Sequence, residues 1–294
     1  MVPSLHYVGR FAPSPTGALH FGSVIAALAS YLCAKSVDGE WLLRIDDIDP
    51  PREQPGAVDA ILRTLEKLGL VWDREVLYQS RRRNEHQAVC AELLARRYAY
   101  RCGCSRKVIG DRPYPGTCRG LNLASAPTHA VRVQISQESV TVVDQLQGSF
   151  TQDLSATSGD FVIWRVEDLP SYHLATVLDD EFMGVTEIVR GADLLESTPR
   201  QYFLQMLLGL AHPTYLHLPI ALDPAGQKLS KQAVAEAIEE LPASDVLGRA
   251  LAFLGHPIPP GLSKEPVTEL LAWARIAWQR AKIPAIHAAP ISGG

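Results

Sequence analysis

The segment Arg10–Ser23, RFAPSPTGALHFGS, ends a proline- and glycine-studded loop on a histidine. Tyr7–Phe11 reads as a short buried strand. Phe21–Ser36 reads as a helix, because Phe21, Val24, Ile25, Leu28 and Leu32 keep helical spacing. A loop passing from a strand into a helix N-terminus offers unpaired N–H groups and the positive end of the dipole, both suited to phosphate. Gly17 and Gly22 lack a Cβ and let a nucleotide approach the backbone, and His20 is placed to donate to a phosphate oxygen. The plain alternative is an ordinary turn with a surface histidine. There is no Gly-Lys dipeptide and no G-x-G-x-x-G, so a nucleotide site here is neither a P-loop nor a dinucleotide fingerprint.

A second segment, QKLSKQ, carries Lys228 and Lys231 on a loop that follows Asp223-Pro224 and Gly226. Lysine is a mobile point charge that can close over a triphosphate, although a solvated polar loop has the same composition. The third signal is Cys102-x-Cys104, thirteen residues, then Cys118. Three thiolates in a Gly/Pro-rich stretch suit a structural tetrahedral zinc, with His129 the first chemical candidate for a fourth ligand. Cys33 and Cys90 lie on helical stripes and read as core thiols. An odd number of cysteines, three of them clustered, fits metal in a reducing compartment better than disulfides.

The elements that must position these groups alternate. Glu40–Ile45 reads as a strand and Gly56–Leu68 as a helix, and Ser80 is expected to cap a third helix reaching Arg97. That order predicts an α/β fold with a doubly wound parallel, Rossmann-like sheet. From Arg101 the texture changes to a Cys/Gly/Pro-rich stretch and then to AVRVQIS and FVIWRVED, which read as antiparallel. MGVTEIVRG restores a strand, and Thr198-Pro199 starts a helix. Short helices at Ser244–Gly255 and Glu265–Ala281 precede a Pro/Gly tail. The expected division is a catalytic unit at 1–100 and 180–235, an insertion with the metal site at 101–179, and a helical subdomain at 236–294. Arg190, at the end of the strand GVTEIVRG, sits where ligands bind in such sheets, and Arg10 can grip a carboxylate.

The 294 residues are 47% apolar and 20% charged with net charge −4, which excludes a disordered chain and a generic polyanion-coating protein. Arg81–Arg83 and Arg96-Arg97 form a basic zone that serves either as a solvated helix face or as a contact to RNA phosphates. No stretch reaches the roughly 20 apolar residues of a membrane span, and the N-terminus lacks a signal pattern. A cytoplasmic location without membrane contact is therefore expected, and the chain is expected to be a monomer.

HFGS and KLSK resemble the HIGH and KMSKS signatures of class I aminoacyl-tRNA synthetases. RFAPSPTGALHFGS, RIDDIDPPRE, GVTEIVRGADLL and KLSK, in that order, are similar to the glutamyl branch from Arg10 to about Lys231. The likeness is greatest to its short paralogues, the glutamyl-Q tRNA(Asp) synthetases. Ser23 stands at the last histidine of the HIGH signature, a change the branch tolerates. Asp46 stands where the family has glutamate, and its shorter reach to an ammonium calls for a backbone shift or a bridging water.

The resemblance implies that L-glutamate is activated with ATP and Mg²⁺, without tRNA, and is transferred to queuosine in the anticodon loop of tRNA(Asp). It implies catalytic roles for His20, Lys228 and Lys231. ATP contacts are implied for Gly17, His20, Gly22, Ser23 and Lys231. The glutamate pocket would draw on Arg10, Phe11, Ala12, Pro13, Ser14, Asp46, Tyr172 and Arg190. One structural zinc would be held by Cys102, Cys104, Tyr114 and Cys118. Only 63 residues follow Lys231, which fits the short paralogue better than an enzyme with a large anticodon-binding region. A truncated glutamyl-tRNA synthetase, a small-molecule nucleotidyltransferase and a non-catalytic zinc-containing tRNA-binding module remain as alternatives.

Overall fold

A computed structural model of the chain describes residues 6–136, 139–223, 226–227, 238 and 240–291. Lys228 and Lys231 lie outside the described residues. The strand β1 (Val8–Phe11) leads through a loop into helix α1 (Phe21–Lys35) and strand β2 (Glu40–Ile45). β1 is wholly buried and β2 nearly so, as expected of parallel strands covered on both faces. They pair in parallel, with Val8 opposite Glu40 and Phe11 opposite Leu43. Helix α2 (Ala57–Lys67) then leads to β3 (Asp73–Tyr78), which extends the sheet in parallel beyond β2. β3 carries no signal legible in the chain, because its charged segment DREVLY forms a partly exposed edge without alternation.

Ser80 does not cap a helix, which corrects the expectation. A 3-10 turn spans Gln79–Arg82 and α3 covers Arg83–Ala95. The Ser80 N–H and Oγ both donate to the Asp47 carboxylate, at 2.9 and 2.5 Å, charge-assisted bonds to a residue on another part of the chain.

The middle of the chain builds two further layers. An antiparallel sheet is made by β4 (Ala99–Cys102), β5 (Ala130–Val133) and β8 (Val162–Trp164), with a single helical turn α4 (Arg106–Ile109) beside the cysteines. A hairpin of β6 (Ser139–Asp144) and β7 (Gly148–Asp153) leads into the short helix α5 (Leu154–Thr157). Helix α6 (Tyr172–Met183), β9 (Glu187–Gly191), α7 (Thr198–Leu208) and β10 (Thr214–Leu218) then return to the parallel texture, with β9 and β10 in register from Thr214 opposite Glu187 to Leu218 opposite Gly191. The β6–β7 hairpin joins this second sheet through β10, so that part of the middle stretch is woven into the sheet rather than set apart from it.

The two parallel groups meet where β9 lies beside β1: the Thr186 N–H donates to Val8 O at 2.9 Å and Val8 N–H to Thr186 Oγ1 at 3.0 Å. Strand order reverses at that seam, where open α/β sheets form a crevice at the carboxyl ends of their strands. After β11 (Ile220–Leu222), helices α8 (Ala243–Phe253) and α9 (Val267–Ala277) pack onto the core that contains α1. The expected irregular tail instead supplies β12 (Ala288–Pro290), which pairs in parallel with β11. Among the described residues, no helix is long and apolar enough to cross a membrane.

Candidate active site

A cavity of about 330 Å³ opens at the seam between β1 and β9. The loop after β1 forms one wall, and Arg10, Phe11, Ala12, Pro13 and Ser14 all line it. Gly17, His20, Gly22 and Ser23 continue that wall into the start of α1. Asp46, Tyr172 and Arg190 close the other side. Every described residue nominated for the nucleotide or for glutamate therefore borders one space.

The loop is pinned by backbone contacts, Asp46 N–H to Pro13 O at 3.0 Å and Gln54 N–H to Pro15 O at 2.9 Å. Gly17 sits at φ +135°, a conformation that a Cβ strains. His20 is the N-cap of α1, and its Nδ1 accepts from the Ser23 N–H at 3.3 Å. That contact places the ring proton on Nε2, the nitrogen suited to donate to phosphate. A Cβ on Gly22 would come within 3.1 Å of the His20 ring, so glycine there lets the imidazole lie over the helix mouth.

The charged floor is a chain of buried ion pairs. Arg10 Nε donates to Asp180 Oδ1 at 3.1 Å, Arg44 Nη1 donates to the same oxygen at 2.5 Å, and Arg44 Nε donates to Asp46 Oδ1 at 2.7 Å. Burial works against the charge on Asp180, yet Arg10 and Arg44 outweigh it and hold that carboxyl below its ordinary range. Asp46 differs: burial dominates and pushes its carboxyl up, with Arg44 opposing. A cation arriving beside Asp46 would relieve that cost. Arg10 also helps hold the charge on Asp46, and it borders the cavity.

Arg190 is held differently. Its Nε donates to His217 Nε2 at 3.0 Å, its Nη2 to Thr198 Oγ1 and Gln201 Oε1 at 2.8 Å each, and its Nη1 to Tyr172 Oη at 3.4 Å. Sequence reasoning missed Arg44, Asp180, His217, Asp144, Thr198 and Gln201. Arg44 and His217 carried a legible signal, a charge or an imidazole inside the apolar strands EWLLRI and TYLHL. Asp180, on α6, carried none.

The cysteine stretch forms a separate knuckle. Cys102, Cys104 and Cys118 bring their Sγ atoms within 4.8 Å of one another, with Cys104 and Cys118 at 3.6 Å. Tyr114 Oη lies 3.2 Å from Cys102 Sγ and 3.5 Å from Cys104 Sγ. A tetrahedral zinc with ligand bonds of about 2.3 Å spaces its sulfurs by about 3.8 Å, so the donor set fits that ion. His129 stands outside the cluster, its Nδ1 against Ala124 O at 2.9 Å. A Cβ on Gly159 would strike Tyr114 O at 2.1 Å, so this glycine allows the tyrosine's backbone to seat. Asp160 ties the knuckle to the antiparallel sheet: it accepts from Arg119 Nε at 2.6 Å, from Ile135 N–H at 2.9 Å and from Tyr100 Oη. None of these residues lines the cavity.

Comparison with known proteins bears on this arrangement. The family model for the catalytic domain of class I tRNA synthetases (E and Q) matches residues 7–112 and 122–254. The glutamyl-Q tRNA(Asp) synthetase of Ectopseudomonas mendocina is 50% identical over 282 residues, covering 95% of each chain. That of Thiobacillus denitrificans is 46% identical over 285 residues, 94% of this chain and 95% of the relative. The crystal structure of a glutamate tRNA ligase from Elizabethkingia meningosepticum, in complex with its amino acid, superposes with a TM-score of 0.80 at 25% identity, covering 98% of this chain and 67% of the other. The chain belongs to the class I tRNA synthetases of the E and Q type, as a synthetase-like ligase of the glutamyl-Q tRNA(Asp) synthetase family.

Proposed function

We propose that this ligase activates L-glutamate with ATP in the absence of tRNA and transfers the glutamyl group to queuosine in the anticodon loop of tRNA(Asp). The observation that carries the reading is the convergence of Arg10, Asp46, Tyr172 and Arg190 on the cavity that the His20 loop walls. Two guanidiniums and a carboxylate suit an amino acid with two carboxylates and one ammonium. The helix mouth with His20 suits the phosphates.

In this reading one oxygen of glutamate's α-carboxylate attacks the α-phosphorus of ATP. The bond to the bridging oxygen breaks, and pyrophosphate leaves. A carboxylate is already a nucleophile at neutral pH, so the protein supplies position and charge rather than a base. Arg10 and Arg190 hold carboxylate, Asp46 and Tyr172 receive the ammonium and shape the pocket, and His20 faces the phosphates. Lys228 and Lys231, which follow β11 in the chain, are assigned to the same charge, and Ile220 and Ala221 of β11 line the cavity. A hydroxyl of queuosine's cyclopentenediol then attacks the acyl carbonyl and releases AMP. The knuckle of Cys102, Cys104, Tyr114 and Cys118 is assigned a structural zinc, which when bound stiffens the segment around it; the reaction itself stays in the cavity. A cytoplasmic monomer suits this chemistry.

Support for the acceptor comes from the relatives' names and from identity, 50% to a glutamyl-Q tRNA(Asp) synthetase against 25% to the glutamate tRNA ligase. The test uses ATP, labelled glutamate, purified tRNA(Glu) and purified tRNA(Asp) with or without queuosine. Label on the modified species alone is expected. Label on the 3′ ribose of tRNA(Glu) would assign a glutamyl-tRNA synthetase. Absence of glutamate-dependent ATP–pyrophosphate exchange by folded protein would assign a binding module.

A further inference from the structure

His217 on β10 lies directly opposite Arg190 on β9, so both side chains share one face of the sheet, and both are buried. A guanidinium only donates, so the nitrogen that meets Arg190 Nε at 3.0 Å, His217 Nε2, must present a lone pair. The ring proton then sits on Nδ1 and donates to Asp144 Oδ2 at 2.6 Å. Asp144 is itself fixed by backbone N–H groups, from Leu146 at 2.9 Å, Gln147 at 2.8 Å and His217 at 3.1 Å.

The remaining contacts of Arg190 are just as telling. Among the described residues they are Thr198, Gln201, Tyr172, the Leu194 carbonyl at 3.5 Å and the Tyr215 ring at 5.7 Å, all uncharged. Arg10, by contrast, is paired directly with Asp180. The anion behind Arg190 is Asp144, held one imidazole away. Burial lowers the His217 pKa, with Arg190 and Arg10 adding to the effect and Asp144 opposing it, and the Tyr215 ring stacks alongside at 6.1 Å. The imidazole therefore stays neutral where Arg190 needs an acceptor.

We propose that the Asp144–His217 pair is a positioning device that orients Arg190 through uncharged acceptors alone, so that its full positive charge is kept for a carboxylate of the substrate. The proposal rests on the glutamate reading of the cavity. It makes His217 a residue that sets selection for a carboxylate-bearing substrate without touching it. Gln201 is the complementary site, because Gln201→Glu would place a carboxylate on Arg190 Nη2 with almost no change of shape.

Steady-state glutamate-dependent ATP–pyrophosphate exchange tests this with three variants. Gln201→Glu is expected to raise KM for glutamate about 10- to 100-fold, with KM for ATP unchanged. His217→Asn keeps a donor for Asp144 but cannot reach Arg190, and is expected to raise the same KM about tenfold or more. His217→Gln restores an acceptor at that distance and is expected to stay within about threefold of the parent. If all three variants keep the parental glutamate KM, or if the ATP and glutamate KM rise together, the proposal is overturned. The ring tautomer is read separately by nitrogen-15 NMR of His217 in the substrate-free protein. Protonation at Nδ1 supports the device, and protonation at Nε2 overturns it even where exchange is normal. Absence of any exchange by the parent protein would overturn the glutamate reading instead, leaving the tautomer to decide the inference.

Discussion

Arg44 Nη1 and Asp180 Oδ1 meet at 2.5 Å beneath the cavity, one from β2 and the other from α6, and both side chains are almost fully buried. The same Asp180 oxygen accepts from Arg10, so a single carboxylate sets two guanidiniums and, through Arg44, the position of Asp46. The floor of the site thus behaves as one unit.

Asp180→Asn should therefore damage both fold and site. Removing one charge from a buried pair costs about 3–5 kcal/mol, because the partner is left uncompensated. Urea unfolding should show that loss, and glutamate KM should rise while KM for ATP holds. Stability within about 1 kcal/mol of the parent would mean that the pairs contribute little.

Acid stability follows with a defined sign. Asp180 and Asp144 both titrate below the ordinary carboxylate range when folded. Their contribution is full above the unfolded value of about 3.9 and is lost as pH falls through the lower folded values. The parent's urea midpoint should drop steeply below about pH 4, and Asp180→Asn should start lower and fall less over that window. Parallel curves for the two proteins would rule out the linkage.

Lys231→Ala should lower glutamate-dependent exchange by about 10²–10³ with the fold intact, the usual cost of losing one donor to transition-state charge. Circular dichroism verifies the fold, and a near-normal rate removes this lysine from the mechanism.

The thiols should separate into two populations. Burial pushes both Cys33 and Cys90 up to about 12, so neither should react with a disulfide reagent in the folded protein. Cys102, Cys104 and Cys118 should be protected by metal and become reactive after chelation. Cys102→Ser should abolish stoichiometric zinc and lower the melting temperature, since a structural zinc contributes folding energy directly. A variant that keeps its zinc contradicts the ligand assignment.

Local chemistry made part of this protein legible in one dimension. The apolar runs of β1 and β2, the helical stripe of α1 and the glycines before and within HFGS are short-range signals, and each element lies within two residues of its expected bounds. The cysteine spacing likewise reported the knuckle, since its donors fall on one compact stretch. Ser80 shows where such signals stop: a capping residue by type became a donor to Asp47, 33 positions away in the chain, because the fold brings that carboxylate against it.

Tertiary structure decided what the charges do. Nothing in the chain order links Arg10 to Asp180, 170 residues apart, or His217 to Asp144, 73 residues apart. Those pairs exist because β1 meets α6 and because β6 lies beside β10, and a buried charge is tolerated only where a partner meets it. Residue types along the chain therefore specified which chemistry was on hand. Packing alone determined which guanidiniums meet a carboxylate beneath the cavity and which one meets uncharged acceptors.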